Sequence, residues 1–260
     1  MLNKETIIKQ LESMGAPRDR AVIVHISLRA VGKIDAQYVL DTFIEYFTSE
    51  GGVLIVPTHT WHNTFKDIVL DMASPDTCIG TFSKIALQDK RGKRTTNPTH
   101  SVTLFGNERK VQEFLDMEEN VLKPTDKSGA YSKIDNVLLI GVGQEKNTYL
   151  HCVEETIGVV NRFSSAPIPM KVKRLDGSII TKPFYCFDES DIGDVSTRFP
   201  KYEKAFRYHG GIVDGFIGNA KTMLCDAKIL LKVMELIRKN SKNVEILRDN
   251  SPIEEKFFKN

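Results

Sequence analysis

Two continuous apolar runs, AVIVHI from Ala21 to Ile26 and VLIVP from Val53 to Pro57, lack the alternation of a half-exposed strand and predict strands buried on both faces. Between them, Asp35 caps a helix whose Val39, Leu40, Phe43, Ile44 and Phe47 recur at helical spacing, and Gly51-Gly52 ends it. Strand, loop (SLRAVGKID), helix, strand is the signature of a crossover unit. Ahead of it, Asn3 caps a helix with Ile7, Ile8, Leu11 and Met14 on one face, stopped by Gly15 and Pro17. The stretch from Trp61 to Cys78 reads as irregular, and a helix begins near Gly80. The basic loop DKRGKRTTNPTHS leads to a strand over Val102 to Phe105. Beyond Pro124, the run VLLIGV predicts another strand, feeding a helix over Thr148 to Ile157.

Toward the C-terminus, Asp176-Gly177 sits between two alternating segments, a hairpin signal. A helix is expected from about Ala220 to Arg238, and the tail KFFKN carries two Phe residues able to dock on the core. The expected architecture is a single α/β domain over residues 1–260, with a mixed, mostly parallel central sheet flanked by helices and a C-terminal hairpin.

A chain of 260 residues with 41% hydrophobic and 27% charged residues can bury one sizeable core. Its 36 Lys+Arg against 34 Asp+Glu leave a net charge of +2, which excludes a global field that draws in nucleic acid or anionic lipid. No apolar run reaches membrane-span length, and MLNKETIIKQLESMG lacks the apolar stretch of a signal peptide. Cys78, Cys152, Cys186 and Cys225 are far apart with no CxxC spacing, which points to reduced, buried thiols in a cytoplasmic protein without a metal.

The chemistry-bearing stretch is NTYLHCVEE, just after VLLIGVG. On a helix His151 and Glu154 share a face, so the carboxylate can orient the imidazole as a general base; an exposed ion pair is the plainer alternative. Cys152 does not pair with its neighbour His151, because adjacent helix positions diverge. His59 and His62 have a metal-ligand spacing only if helical, which the surrounding Pro57 and threonines oppose; with Trp61 they suit a pocket wall or a surface loop. The turn after the first strand, Ser27 to Gly32, can offer backbone N–H groups and a hydroxyl to a ligand but is not a phosphate-binding glycine loop. Lys90, Arg91, Lys93 and Arg94 could meet a phosphate or simply form a solvated loop.

In order and separation, HISLRAVG, GG-VLIVPT, IGTFSKIALQDKRGKRTTNPTHSVTLFG, SGAYSKI, VLLIGVG, NTYLHCVEE and GGIVDGFIGNA resemble the aminoglycoside 3-N-acetyltransferase family, a group distinct from the GNAT acetyltransferases. The resemblance covers most of the chain. It implies one α/β domain that transfers an acetyl group from acetyl-CoA to the 3-amino group of a deoxystreptamine antibiotic, with no metal. The family's Thr-x-x-His-x-x-Glu pattern falls on Thr148, His151 and Glu154 and implies that His151 and Glu154 are catalytic. Its serine-bearing turn falls on Ser27, Leu28, Arg29 and Val31 and implies contact with coenzyme A. Its Arg-Ser-x-His-Pro-x-x-Ser segment falls on Arg94 to Ser101, with Thr95 in place of the serine and Asn97 in place of the histidine, while Pro98 and Ser101, a further cofactor contact, are kept.

The implied acceptor is a small, cationic amine. It needs a base before it can attack a thioester, the role of His151, and a donor for the developing oxyanion. It also needs an acidic wall, for which Glu155, Asp188, Glu189, Asp191 and Asp194 are candidates, with Trp61 as an aromatic wall. Two other readings stand beside this one: the same scaffold acting on a non-antibiotic amine, and a coenzyme A-binding protein without turnover. The presence of both His151 and Glu154 argues against the second, since binding alone needs no base.

Overall fold

Burial alternates between two helical layers along the central strands. The computed structural model describes residues 2–64, 66, 69–160, 162–188, 193–241 and 250–259. In β1 (Ala21–Ile26), Ala21 and Ile23 pack in one core and Val22 and Val24 in the other; β2 (Val53–Pro57) divides Val53 and Ile55 from Leu54 and Val56 in the same way. On one side lie α1 (Lys4–Ser13), α3 (Ala36–Thr48) and α4 (Thr81–Gln88), contributing Leu11, Phe43, Phe47 and Phe82. On the other lie α5 (Glu108–Glu119), α6 (Tyr149–Thr156), α7 (Glu203–Tyr208) and α8 (Ala227–Ser241), contributing Phe114, Leu150, Phe206 and Leu230. Each fully buried Leu or Phe contributes about 1.5–3 kcal/mol. The caps read from the sequence are present: the Asn3 and Asp35 side chains accept from the Thr6 and Tyr38 N–H groups.

With β4 (Lys93–Arg94), β5 (Val102–Gly106), β6 (Asn136–Ile140), β9 (Ile212–Ile217) and β10 (Ala220–Asp226), the main sheet has the order β4-β5-β2-β1-β6-β10-β9. It is mixed, as expected, but parallel pairing is confined to β2-β1-β6; β4, β5, β9 and β10 pair antiparallel. The difference at one edge arises because β9 and β10 join through a tight turn at Gly218-Asn219, which needs no crossover helix. The same hairpin corrects the helix expected from Ala220. Residues 220–226 pair with β6 and β9, and the helix begins only after Asp226, whose carboxylate caps the Ile229 N–H at 3.0 Å.

The expected loop after β1 contains a short helix, α2 (Leu28–Val31), capped by Ser27. The Asp176-Gly177 hairpin forms between β7 (Ile168–Lys173) and β8 (Ile179–Phe184). It belongs to a separate three-stranded sheet, because β3 (Val69–Asp71), in the stretch read as irregular, pairs parallel with β7. Phe258 of the C-terminal tail is buried in the α8-side core. Among the described residues, no helix is long and apolar enough to cross a membrane.

One buried carboxylate braces the route to the site. Glu118, on α5, accepts the Ala130 N–H at 2.8 Å and so holds the 3₁₀ turn Ala130–Lys133. Gly129 packs closely there: an added Cβ would lie 2.4 Å from Glu118 Oε1 and 2.7 Å from Val121 Cγ1, so a side chain would displace the carboxylate. Burial pushes the Glu118 carboxyl up to about 7. A carboxyl raised on folding contributes stability that is fully present below the ordinary glutamate range and is lost as pH rises through about 7. Glu118→Gln keeps the acceptor for Ala130 and never ionises. Its thermal midpoint should match the wild type near pH 4 and exceed it by roughly 2–8 °C near pH 8, measured by thermal unfolding at both values; a gap independent of pH contradicts the assignment.

Candidate active site

The three parallel strands β2, β1 and β6 end on the same edge, and the chain leaves β1 toward β2 on one side and reaches β6 on the other. Such a divergence opens a crevice beyond the strand ends. A cavity of about 1000 Å³ lies there, lined by His25 and Ile26 from β1, His59 after β2, Thr148 and His151 from the start of α6, and His100 ahead of β5. Gly141, with φ +65°, ends β6; an added Cβ would lie 2.3 Å from Ala30 Cβ, so glycine allows α2 to close against the strand end.

The helix α6 does what its spacing indicates. Leu150 and Val153 enter the core, while His151 and Glu154 share a face, with His151 Nδ1 3.8 Å from Glu154 Oε2. Arg162, absent from the sequence reading, joins them. Its Nε donates to Glu154 Oε2 at 2.7 Å and its Nη2 lies 3.2 Å from His151 Nδ1. Glu154 is 1% and Arg162 3% exposed, whereas the His151 side chain keeps 12%. The imidazole is held between Phe187 and Phe199, ring centroids 4.7 and 4.8 Å away. Phe187 also meets His100 and Phe163, and the Asp188 N–H donates to the Arg162 carbonyl, so the strap after β8 closes over the site.

Three further histidines line the cavity. Tyr131, on the turn that Glu118 braces, donates its hydroxyl proton to the His100 carbonyl at 3.1 Å and so accepts from His59 Nε2 at 2.9 Å. His100 Nδ1 lies 3.0 Å from Thr99 Oγ1, and His25 Nε2 is buried without a partner among the described residues. Burial lowers His25 and His100 to about 3 and His59 well below its ordinary value.

Asn97, the departure noted in the RTTNPTHS segment, is fully buried. Its side chain accepts from the Thr99 and His100 N–H groups and donates to the Lys123 and Pro124 carbonyls. It therefore shapes the turn that delivers His100 to the cavity, with no part in the cavity lining.

The remaining sequence candidates separate. Trp61, half exposed, and Asp188 line the cavity. Ser27 caps α2 beside Gly141; Leu28 is partly buried against the α3-side core, in which Val31 is fully buried, and Arg29 is exposed. None of these four lines the cavity, although their neighbours His25 and Ile26 do. Ser101 and Glu155 are not brought to it. Ser101 is fully buried, bonded to the Thr58 carbonyl at 2.8 Å and to Arg94 Nε at 3.0 Å. Glu155 accepts from Lys123 Nζ at 2.6 Å and the Lys127 N–H at 3.0 Å.

Asp194 lines the cavity while capping the Ser196 N–H; Glu189 and Asp191 lie outside the described residues. Arg91 is spent on Asp41 and Asp89, and Arg94 on backbone carbonyls and Ser101. His62 turns to Asp76 at 3.3 Å, away from His59, and among the described residues no three His, Cys, Asp or Glu side chains gather as a metal site. Burial pushes the Cys152 thiol up to about 12, which leaves it inert as a nucleophile.

The histidine titrations are directly testable. The rings of His25, His59 and His100 should remain neutral from pH 5 to pH 8, read by NMR of labelled histidine. Because the unfolded chain protonates these residues near pH 6.5 and the folded one does not, they should also make stability fall as pH drops below about 6.5. A ring that titrates near 6.5 contradicts its burial.

A family model described as aminoglycoside 3-N-acetyltransferase matches residues 23–237. No curated protein sequence matches the chain. Among solved structures, the crystal structure of aminoglycoside acetyltransferase AAC(3)-IVa as apoenzyme has a TM-score of 0.74 at 20% identity, with 95% of this chain and 92% of that one covered. The YokD protein from Bacillus subtilis gives 0.73 at 18%, covering 90% and 98%, and the AAC-IIIb binary complex with CoASH gives 0.74 at 17%, covering 88% and 93%. At such identities these neighbours speak for the fold, whereas the family match spans most of the sequence, including every strand of the cavity edge and the helix that carries His151 and Glu154: the chain belongs to the aminoglycoside 3-N-acetyltransferase family.

Proposed function

We propose that the protein, as one domain over residues 1–260, transfers the acetyl group of acetyl-CoA directly to an amine of an aminoglycoside, the 3-amino group of the deoxystreptamine ring, with His151 as general base and Glu154 as its orienting carboxylate. The observation that carries this reading is the His151 and Glu154 pair, with His151 lining a cavity at the strand ends and Glu154 buried behind it, in a chain of this family. At about 1000 Å³ the cavity stands at the upper end of small-molecule sites, which supports a large ligand. The likeness to a neighbour crystallised with CoASH, and to AAC(3)-IVa crystallised with apramycin, supports the pairing of cosubstrate and acceptor.

Acetyl-CoA, when bound, supplies a thioester whose acyl carbon accepts the amine nitrogen as the bond to sulfur breaks. The residues of this chain supply the rest. An amine that is ammonium at neutral pH must lose a proton before it attacks, and Nε2 of His151 takes it. Glu154 stabilises the imidazolium that results, and the ring returns this first proton to solvent; after attack the nitrogen carries one proton too many for an amide, which the same ring takes and hands to the departing thiolate. Phe187 and Phe199 keep the ring from turning. The turn at Ser27, Leu28 and Arg29 borders the cofactor, with Val31 fixing it to the core, and Trp61 and Asp188 border the acceptor. Ser101 and Glu155 have no place in this reading, because their polar atoms are committed to Thr58 and Arg94, and to Lys123. That commitment of Glu155 favours a second reading, an acceptor amine of lower charge than an aminoglycoside.

Incubation of the purified protein with acetyl-CoA and a panel of amines, following free thiol, tests the reaction. A singly acetylated aminoglycoside, located by NMR on the deoxystreptamine ring, is expected. Turnover of another amine with no aminoglycoside product keeps the transferase and discards the antibiotic; failure to bind coenzyme A at millimolar concentration by titration calorimetry discards both. His151→Ala should lose roughly 10²-fold or more in turnover with cofactor affinity nearly unchanged, and Glu154→Gln should lose less. Wild-type turnover in His151→Ala removes the base from this role.

A further inference from the structure

A histidine can act as base through Nε2 only when that nitrogen holds a lone pair, so its ring proton must sit on Nδ1. The contacts around His151 favour the other form. Nδ1 lies 3.2 Å from Nη2 of Arg162. A guanidinium is always protonated and carries donors only, so at that contact Nδ1 can only accept, and the neutral ring then carries its proton on Nε2. The carboxylate that would take an Nδ1 proton is out of reach: Glu154 Oε2 is 3.8 Å away and already accepts from Arg162 Nε at 2.7 Å. Glu154 Oε1 is buried and has no partner among the described residues. A cationic donor is thus spent on an imidazole nitrogen while a buried carboxylate oxygen beside it goes unpaired, an arrangement that makes sense if the fork of Arg162 selects the tautomer.

Resting on the general-base reading above, we propose that Arg162 is a positioning residue that sets which ring nitrogen of His151 carries the proton. In the resting enzyme it holds the Nε2–H form. The base is released when Nη2 leaves Nδ1: Nε2 gives its proton to water in the cavity, Nδ1 takes one from water and donates it as a hydrogen bond to Glu154, and the ring, still neutral, holds on Nε2 the lone pair that an amine proton needs. Arg162 is built for such a part. Its planar fork spans both groups at once, its Nε contact with Glu154 can persist while Nη2 withdraws, and its guanidinium rests 5.5 Å from the Phe187 ring, both residues lining the cavity. A lysine at this position could neutralise Glu154 but could not bridge both partners with a fixed geometry.

The tautomer is read by NMR of the full chain with ¹⁵N-labelled histidine rings, without substrate, near pH 8, His151 being assigned by the signals missing from His151→Gln. In the wild type, Nδ1 should resonate as an unprotonated nitrogen and Nε2 as a protonated one. In Arg162→Met, and in Arg162→Lys, which keeps a cation beside Glu154 should the first variant fail to fold, the balance should move toward Nδ1–H by roughly tenfold or more, the worth of one charge-assisted hydrogen bond. An Nδ1–H ring in the wild type, or an unmoved balance in a folded variant, overturns the proposal. The two readings fail separately. An Nδ1–H wild type together with an inactive His151→Ala removes the role of Arg162 and leaves the base in place, whereas an active His151→Ala removes the base whichever nitrogen holds the proton.

Discussion

A carboxylate taken out of water must be matched by a cation, and the site is organised around one such match, Glu154 with Arg162. Removing either partner would leave a buried charge unpaired, a loss on the order of 3–5 kcal/mol. The pair also joins separate parts of the chain. Glu154 belongs to α6, in the main core, whereas Arg162 lies on the way to the three-stranded sheet, and its backbone carbonyl receives the Asp188 N–H from the strap after β8. Phe187 on that strap then reaches the ring of His151. One ion pair therefore ties the small sheet to the large one and sets the ring between its aromatic neighbours.

The cavity follows from a second constraint. Strands buried on both faces leave no room for a ligand along their length, so space opens only where they end. At that edge the fold places imidazoles that burial keeps neutral, able to donate and accept hydrogen bonds without adding positive charge to the cavity. Their support is graded: Glu118 holds the turn at Ala130, Tyr131 on that turn holds His59, and Asn97 shapes the turn that carries His100. The polar groups farthest from the cavity thus decide where the nearest ones point.

The strands of the main sheet's centre, the capped helices and the Asp176-Gly177 hairpin were legible because each is specified by residues close together in the chain: a both-faces apolar run, a cap at a helix start, a turn residue with positive φ. His151 and Glu154 were legible for the same reason, since three residues on a helix means a shared face. The misreadings share a cause as well. The run from Ala220 mixes apolar and charged residues in a way that suits both periods, and only pairing with β6 makes its first seven residues a strand.

Residues near one another in the chain suffice for the α/β class, the family and the face of α6 that His151 and Glu154 share. Only the packing of distant elements settles that Arg162, eight residues past Glu154 and beyond the end of its helix, comes back to bind it, that Phe187 arrives from the strap after β8, and that Glu155 and Ser101 are used up elsewhere. The physical reason is range. Caps and periodicity act within a turn or two of the backbone, whereas the partner of a buried charge is whichever opposite charge the packing of distant elements brings within hydrogen-bond distance.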